Sequence, residues 1–192
     1  MNSKNLCLIS RDFCFLFRPN KIVFLSTILN FNQHIMRNFY IFMSTGFGSG
    51  YSPIAPGTAG SIVGCAMFYV LNLLYPNYFP GSGIDSIYFI TLIVVFLIIG
   101  VKASHFLEKE WGEDPQKIVI DEIVGVWVTL LFVPYSHLNL LLALVLFRLF
   151  DIFKPLGIRK FEKMKKGWGV MMDDVAAGVY ANISLQIYLW LF

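Results

Sequence analysis

Three stretches of this chain place charge inside apolar sequence. Asp121-Glu122 interrupts the run from Ile118 to Gly125, and Asp173-Asp174 opens the long apolar run that ends at Phe192. Between them, Arg148, Asp151 and Lys154 recur every three residues, which puts them on one broad face of a helix end. A charge at the centre of an apolar span costs about 2.5–3.5 kcal/mol, so paired acids there ask for a reason. Five of the twelve acids gather in these three stretches. Hard oxygen ligands without histidine or cysteine beside them suit Mg2+ rather than zinc or copper. His34, His105 and His137 lie outside the clusters. Arg148 and Lys154 are donors suited to a phosphate. Each stretch also has a plainer reading: solvated acids at helix N-termini, or an Arg148–Asp151 pair neutralised in place with Lys154 snorkelling.

A fourth stretch is rich in glycine. Ser44-Thr45-Gly46-Phe47-Gly48-Ser49-Gly50 is followed by Ser52-Pro53 and by Pro56-Gly57-Thr58-Ala59-Gly60-Ser61. Such a loop can turn its N–H groups toward one anion, and Thr58 or Ser61 can cap the helix that follows. A phosphate at a helix N-terminus gains from free N–H groups and from the dipole. The alternative is a turn-rich entry to a helix, with small residues for close packing. Carboxylates, a divalent cation, fixed basic groups and a glycine loop together make a site for phosphoryl chemistry.

The elements that must carry these groups are membrane helices. The 192 residues are 57% hydrophobic, 17% aromatic and only 14% charged. A soluble domain carries about a quarter charged residues, so some of this apolar surface must face lipid. Disorder is excluded by the same figures, and a disulfide scaffold by three scattered cysteines, Cys7, Cys14 and Cys65. The formal charge of +3 is too small to argue for nucleic acid. The expected fold is all-α, a multi-pass bundle of about four to five spans. The candidates are 61–74, 87–103, 118–133, 138–153 and 170–192, separated by breaks at 75–83, 113–115 and 134–139. The third is long enough only if Ile118 to Glu122 joins it.

If each span crosses once, the connections at 75–86 and 134–139 share a side and hold no Lys or Arg. The other side holds Lys102, Lys109, Lys117, Lys154, Arg159, Lys160, Lys163, Lys165 and Lys166, which makes it cytoplasmic. All four unusual stretches fall on that face. Residues 1–43 read as a separate leader, interfacial or dispensable, with Met36 and Met43 as alternative starts. The remaining 44–192 form the membrane domain.

Several phosphatase chemistries are absent from the sequence. No cysteine precedes an arginine at the spacing of a thiolate phosphatase. There is no Pro-Ser-Gly-His stretch of a histidine-based lipid phosphatase, and no Asp-x-Asp nucleophile. The run TGFGSGYSPIAPGTAGSIVG at 45–64, with IVIDEIVGVW at 118–127, FRLFDIFKP at 147–155 and GVMMDDVAAGVYA at 169–181, resembles the phosphatidylglycerophosphatase A family. Gly157 and Lys166-Gly167 depart from that pattern without touching a carboxylate.

The resemblance implies a bacterial inner-membrane, Mg2+-dependent phosphatase that converts phosphatidylglycerophosphate to phosphatidylglycerol. Carried onto this chain, Asp121, Glu122, Asp173 and Asp174 hold the metal. Asp151 completes the shell or acts as base, so that Asp121, Asp151 and Asp174 are the catalytic acids. Thr45, Gly46, Gly48, Ser49, Gly50, Thr58, Arg148 and Lys154 bind the substrate phosphate. Two other functions stay open at this point. One is a phosphatase or phosphotransferase for another lipid phosphate. The other is a cation pathway, against which the spans are bare of acids beyond their cytoplasmic thirds.

Overall fold

The computed structural model describes residues 19–75, 86–112, 115–155, 157–164 and 167–192. Residues 1–18, most of the expected break at 75–83, residues 113–114 and the basic residues Lys165 and Lys166 lie outside the described set. Every regular element among the described residues is helical, as the apolar periodicity implies: α1 (Pro19–Ser44), α2 (Pro56–Leu74), α3 (Ser86–Trp111), α4 (Ile120–Thr129), α5 (His137–Phe153) and α6 (Trp168–Leu191). Two 3-10 segments, Ser49–Tyr51 and Ile158–Lys163, lie in the connections. By its contacts the chain divides into residues 1–39 and residues 40–192, and α1 runs across that division. The larger unit holds all the charged and glycine-rich stretches.

At the centre of this larger unit is the shortest α-helix. Eight of the ten residues of α4 are buried, and α4 packs against α2, α3, α5 and α6. A helix apolar on every side must be enclosed by others. Trp127 fixes it to α2 by donating its indole N–H to the Gly64 carbonyl at 2.9 Å. Around Trp127 lie Phe89 and Phe96 of α3. Against α6 the approach is closer. A Cβ on Gly178 would stand 2.5 Å from the Gly125 carbonyl oxygen, and one on Gly125 would strike Phe147 and come 3.0 Å from the Asp174 carbonyl. Small residues at both positions let the two backbones meet. Their spacing, four residues past Asp121 and Asp174, therefore brings two acid pairs to the same level.

Among the described residues two helices, α2 and α3, are long and apolar enough to cross a membrane. The third expected span differs. At 1.5 Å per residue α4 is about 15 Å long, half of a hydrocarbon core, and irregular chain with Phe132 at φ 60 continues from it. Irregular backbone at such depth must be satisfied by protein. Asn182 of α6 donates to the carbonyls of Thr129 and Leu131, both at 2.8 Å, and Gln186 donates to that of Phe132 at 3.1 Å. Replacing Asn182 by Leu strands the Thr129 carbonyl, leaves that of Leu131 only the Gln186 amide at 3.4 Å, and is expected to cost about 1–3 kcal/mol. A thermal unfolding midpoint in detergent equal to that of the wild type would contradict this capping role.

The outer surfaces of α3, α5 and α6 carry large exposed apolar side chains, among them Ile87, Val94, Ile98, Leu141, Val145, Ile183 and Ile187. Contiguous apolar surface on this scale suits lipid rather than water.

Candidate active site

The acids of three helices converge on one cavity of about 500 Å3, lined by Asp121, Glu122, Arg148, Asp151, Lys154, Asp173 and Asp174 together with Pro53, Ala55, Pro56 and Gly57. α4 delivers Asp121 and Glu122 from its first turn. α5 delivers Arg148 and Asp151 from its last turns, and Lys154 as its C-cap in a left-handed conformation, φ 44. α6 delivers Asp173 and Asp174 from its second turn. The three stretches singled out by charge in the sequence thus meet in space.

Within the cavity the acids divide into two kinds. Asp121, Glu122 and Asp174 each offer a carboxylate oxygen within 4.8 Å of the others. Glu122 Oε2 is buried and has no hydrogen-bond partner. Asp173, expected in the same ligand set, instead pairs with Lys154, whose Nζ donates to its Oδ2 at 2.6 Å. Arg148 Nη1 lies 2.8 Å from Asp151 Oδ2 and 3.8 Å from Glu122 Oε1. Among the described residues, five carboxylates therefore face two basic groups, three more acids than bases on the cavity wall. Three hard oxygen donors this close could hold a divalent cation, which would relieve their mutual repulsion.

The glycine-rich loop behaves differently from its expected role. Its amides are taken by its own carbonyls: Gly46 donates to Met43, Gly48 and Gly50 to Thr45, and Ser49 to Gly46, at 2.9–3.2 Å. Thr45 is buried, donates its hydroxyl to the Ile41 carbonyl and accepts from the Gly48 amide. No amide of Gly46, Gly48, Ser49 or Gly50 is left to cradle a phosphate. Instead the loop is a platform for the residues that precede α4. The Ser44 carbonyl accepts from Val119 N–H at 2.8 Å, and Gly50 lies directly on the Lys117 carbonyl. Of the eight residues expected to bind substrate, only Arg148 and Lys154 line the acid cavity.

Gly57 is the site residue that pattern reading passed over. A Cβ there would strike Glu122 Oε1 and lie 3.1 Å from Arg148 Nη1. It belongs to the first turn of α2, which opens on Pro56 after Ala55 in a left-handed conformation, and no side chain caps it. Free N–H groups of a first turn are anion donors. Thr58 follows on that turn without reaching the cavity wall. The available signal was the Pro-Gly pair at the start of a helix, which marks a terminus bare of side chains.

The family model for phosphatidylglycerophosphatase A matches residues 42–189, which contain every residue of the cavity. A Bacteroides thetaiotaomicron protein named "Putative phosphatidylinositol-3-phosphatase" is 45% identical over 155 residues, covering 78% of this chain and 93% of that protein. Two proteins named phosphatidylglycerophosphatase A are similar too. The one from Haemophilus influenzae is 39% identical over 153 residues, 78% of this chain and 88% of its own. The one from Escherichia coli is 35% identical over 147 residues, 75% of this chain and 80% of its own. No solved structure matches the chain. With a buried trio of carboxylates at its centre and a family match over nearly all of the larger unit, this chain belongs to the phosphatidylglycerophosphatase A family of phosphatases.

Proposed function

We propose that this chain hydrolyses the phosphomonoester of phosphatidylglycerophosphate to phosphatidylglycerol and inorganic phosphate. It does so as a multi-pass protein of a bacterial inner membrane, with the acid cavity on the cytoplasmic face. The observation that carries this reading is the convergence of Asp121, Glu122 and Asp174 within 4.8 Å. The one-sided distribution of Lys and Arg supports the orientation.

These three residues would hold Mg2+, which when bound would offset two of the trio's three charges and polarise phosphoryl oxygens. The chain's own groups do the rest. The uncapped first turn of α2 at Gly57 and the Arg148 guanidinium receive the phosphoryl oxygens and stabilise the charge spread over them. Asp151, anchored through one oxygen to Arg148, takes the proton of the attacking water at its other oxygen. The Lys154–Asp173 pair closes the far wall and keeps both side chains directed inward. Acyl chains stay beside the apolar helix faces, so only the headgroup enters.

Phosphate release from phosphatidylglycerophosphate in detergent micelles tests this. Turnover is expected with Mg2+ and is lost in EDTA. Metal-independent release would remove the trio from the chemistry. The name of the Bacteroides relative supports a second substrate, phosphatidylinositol 3-phosphate, to be assayed beside the first. Faster turnover of that lipid would reassign the headgroup while leaving the site intact.

A further inference from the structure

A second cavity, about 580 Å3, adjoins the acid cavity and shares Pro53, Pro56, Pro115 and Gln116 with it. Tyr51, Glu110, Trp111 and Lys117 stand on its other walls. The Lys117 ammonium lies 5.8 Å from the ring centroid of Tyr51 and 5.8 Å from that of Trp111. Aromatic faces attract a cation through their quadrupoles but do not cancel its charge. Here Lys117 differs from Arg148 and Lys154, each of which has a carboxylate at 2.8 Å or less. Among the described residues no carboxylate forms an ion pair with Lys117. The cavity therefore has the Lys117 charge on its wall, held in place by two rings, with Glu110 as its one acidic neighbour among the described lining residues.

The depth of this cavity is also informative. Trp111 is the last residue of α3, whose 26 residues extend about 39 Å, beyond a hydrocarbon core of about 30 Å. Tryptophan, tyrosine and lysine at such a helix end are residues of the headgroup layer. A lipid whose phosphomonoester occupies the acid cavity must lead its headgroup back to the bilayer through this layer.

Resting on the reading of the acid cavity as the phosphomonoester site, we propose that the adjoining cavity binds the phosphodiester of the same lipid headgroup, with Lys117 as its pairing cation. Tyr51 and Trp111 position that cation. Lipids that carry both a terminal monoester and a diester nearer the acyl chains engage both cavities. Phosphatidic acid, whose monoester sits directly on diacylglycerol, engages only the first. Lys117 is thus a specificity-determining residue, selecting diester-bearing lipid phosphates.

The full chain in detergent micelles provides the test. We compare kcat/KM for phosphatidylglycerophosphate with that for phosphatidic acid in the wild type, Lys117→Gln and Lys117→Arg. The ratio is expected to fall about tenfold in Lys117→Gln, through KM, and to recover in Lys117→Arg. A ratio equal to the wild type's in Lys117→Gln overturns the proposal. In parallel, calorimetry measures binding of dioctanoyl phosphatidylglycerol, which carries the diester without the monoester. Wild type should bind it about fivefold more tightly than Lys117→Gln, and equal affinities overturn the proposal. Should the wild type hydrolyse neither lipid, the acid-cavity reading fails separately, and the binding comparison still decides the role of Lys117.

Discussion

Asp174→Asn is expected to lower kcat for phosphate release on the order of 10^3-fold, equivalent to about 4 kcal/mol of barrier. Asp174 is one of the three converging carboxylates and is 4% exposed, so water cannot substitute for the lost charge. The fold should persist, because asparagine has the same shape and its introduction removes one of three crowded like charges. An unfolding midpoint at or above the wild type's, with turnover nearly abolished, is the expected pair of results. Asp173→Asn is the informative contrast. Its carboxylate is bound to Lys154 and lies outside the trio, so the expected loss is about 10–100-fold, typical of a residue that orients others. Equal activity in wild type and Asp174→Asn would remove the trio from the mechanism.

Gly178→Val produces the second large effect by another route. Its new Cβ would lie 2.5 Å from the Gly125 carbonyl oxygen, and backbone, unlike the tip of a flexible side chain, has nowhere to move. α4 and α6 must separate. Overpacking of this kind costs about 1–3 kcal/mol, more than valine recovers in helix propensity. The Thr129 hydroxyl, which lies 3.0 Å from the Gly125 carbonyl and 3.3 Å from that of Gly178, loses its place between the helices. Separation also moves Asp174 away from Asp121 and Glu122. A lowered unfolding midpoint and lost turnover should therefore appear together, whereas Asp174→Asn loses turnover alone. A Gly178→Val protein with the wild-type midpoint and rate would show that this contact does not set the site.

Much of this site was legible in the sequence because burial of charge is expensive and therefore conspicuous. Asp121, Glu122, Asp151, Asp173 and Asp174 stood out against apolar neighbours, and the structure brings all five to one cavity. Their pairing was not legible. Adjacent residues on a helix point about 100° apart, so Asp173 and Asp174 meet different partners, Lys154 and the trio. The glycine loop misled for a related reason. Its composition shows that amides can be turned inward, but only the folded backbone shows that carbonyls of Met43, Thr45 and Gly46 have already taken them. The extent of α4 was hidden too. Ile123 to Val133 is apolar apart from Thr129, and no Gly, Pro or charge marks the end of the helix there, because the groups that satisfy that end lie about fifty residues later, at Asn182 and Gln186.

That remote capping carries a consequence for how the protein is made. As the chain is made from its N-terminus, α4 comes first as a ten-residue helix with unsatisfied end carbonyls, and the amides that satisfy it belong to α6, about fifty residues later. Until Asn182 has been synthesised and docked, the carbonyls of Thr129 and Leu131 lack these partners, and Asp121 and Glu122 lack Asp174. Docking of α6 is thus the event that both satisfies the end of α4 and brings Asp174 to Asp121 and Glu122. A chain ending before residue 182 would lack both the amides that satisfy α4 and the full length of the helix that holds Asp174 in place.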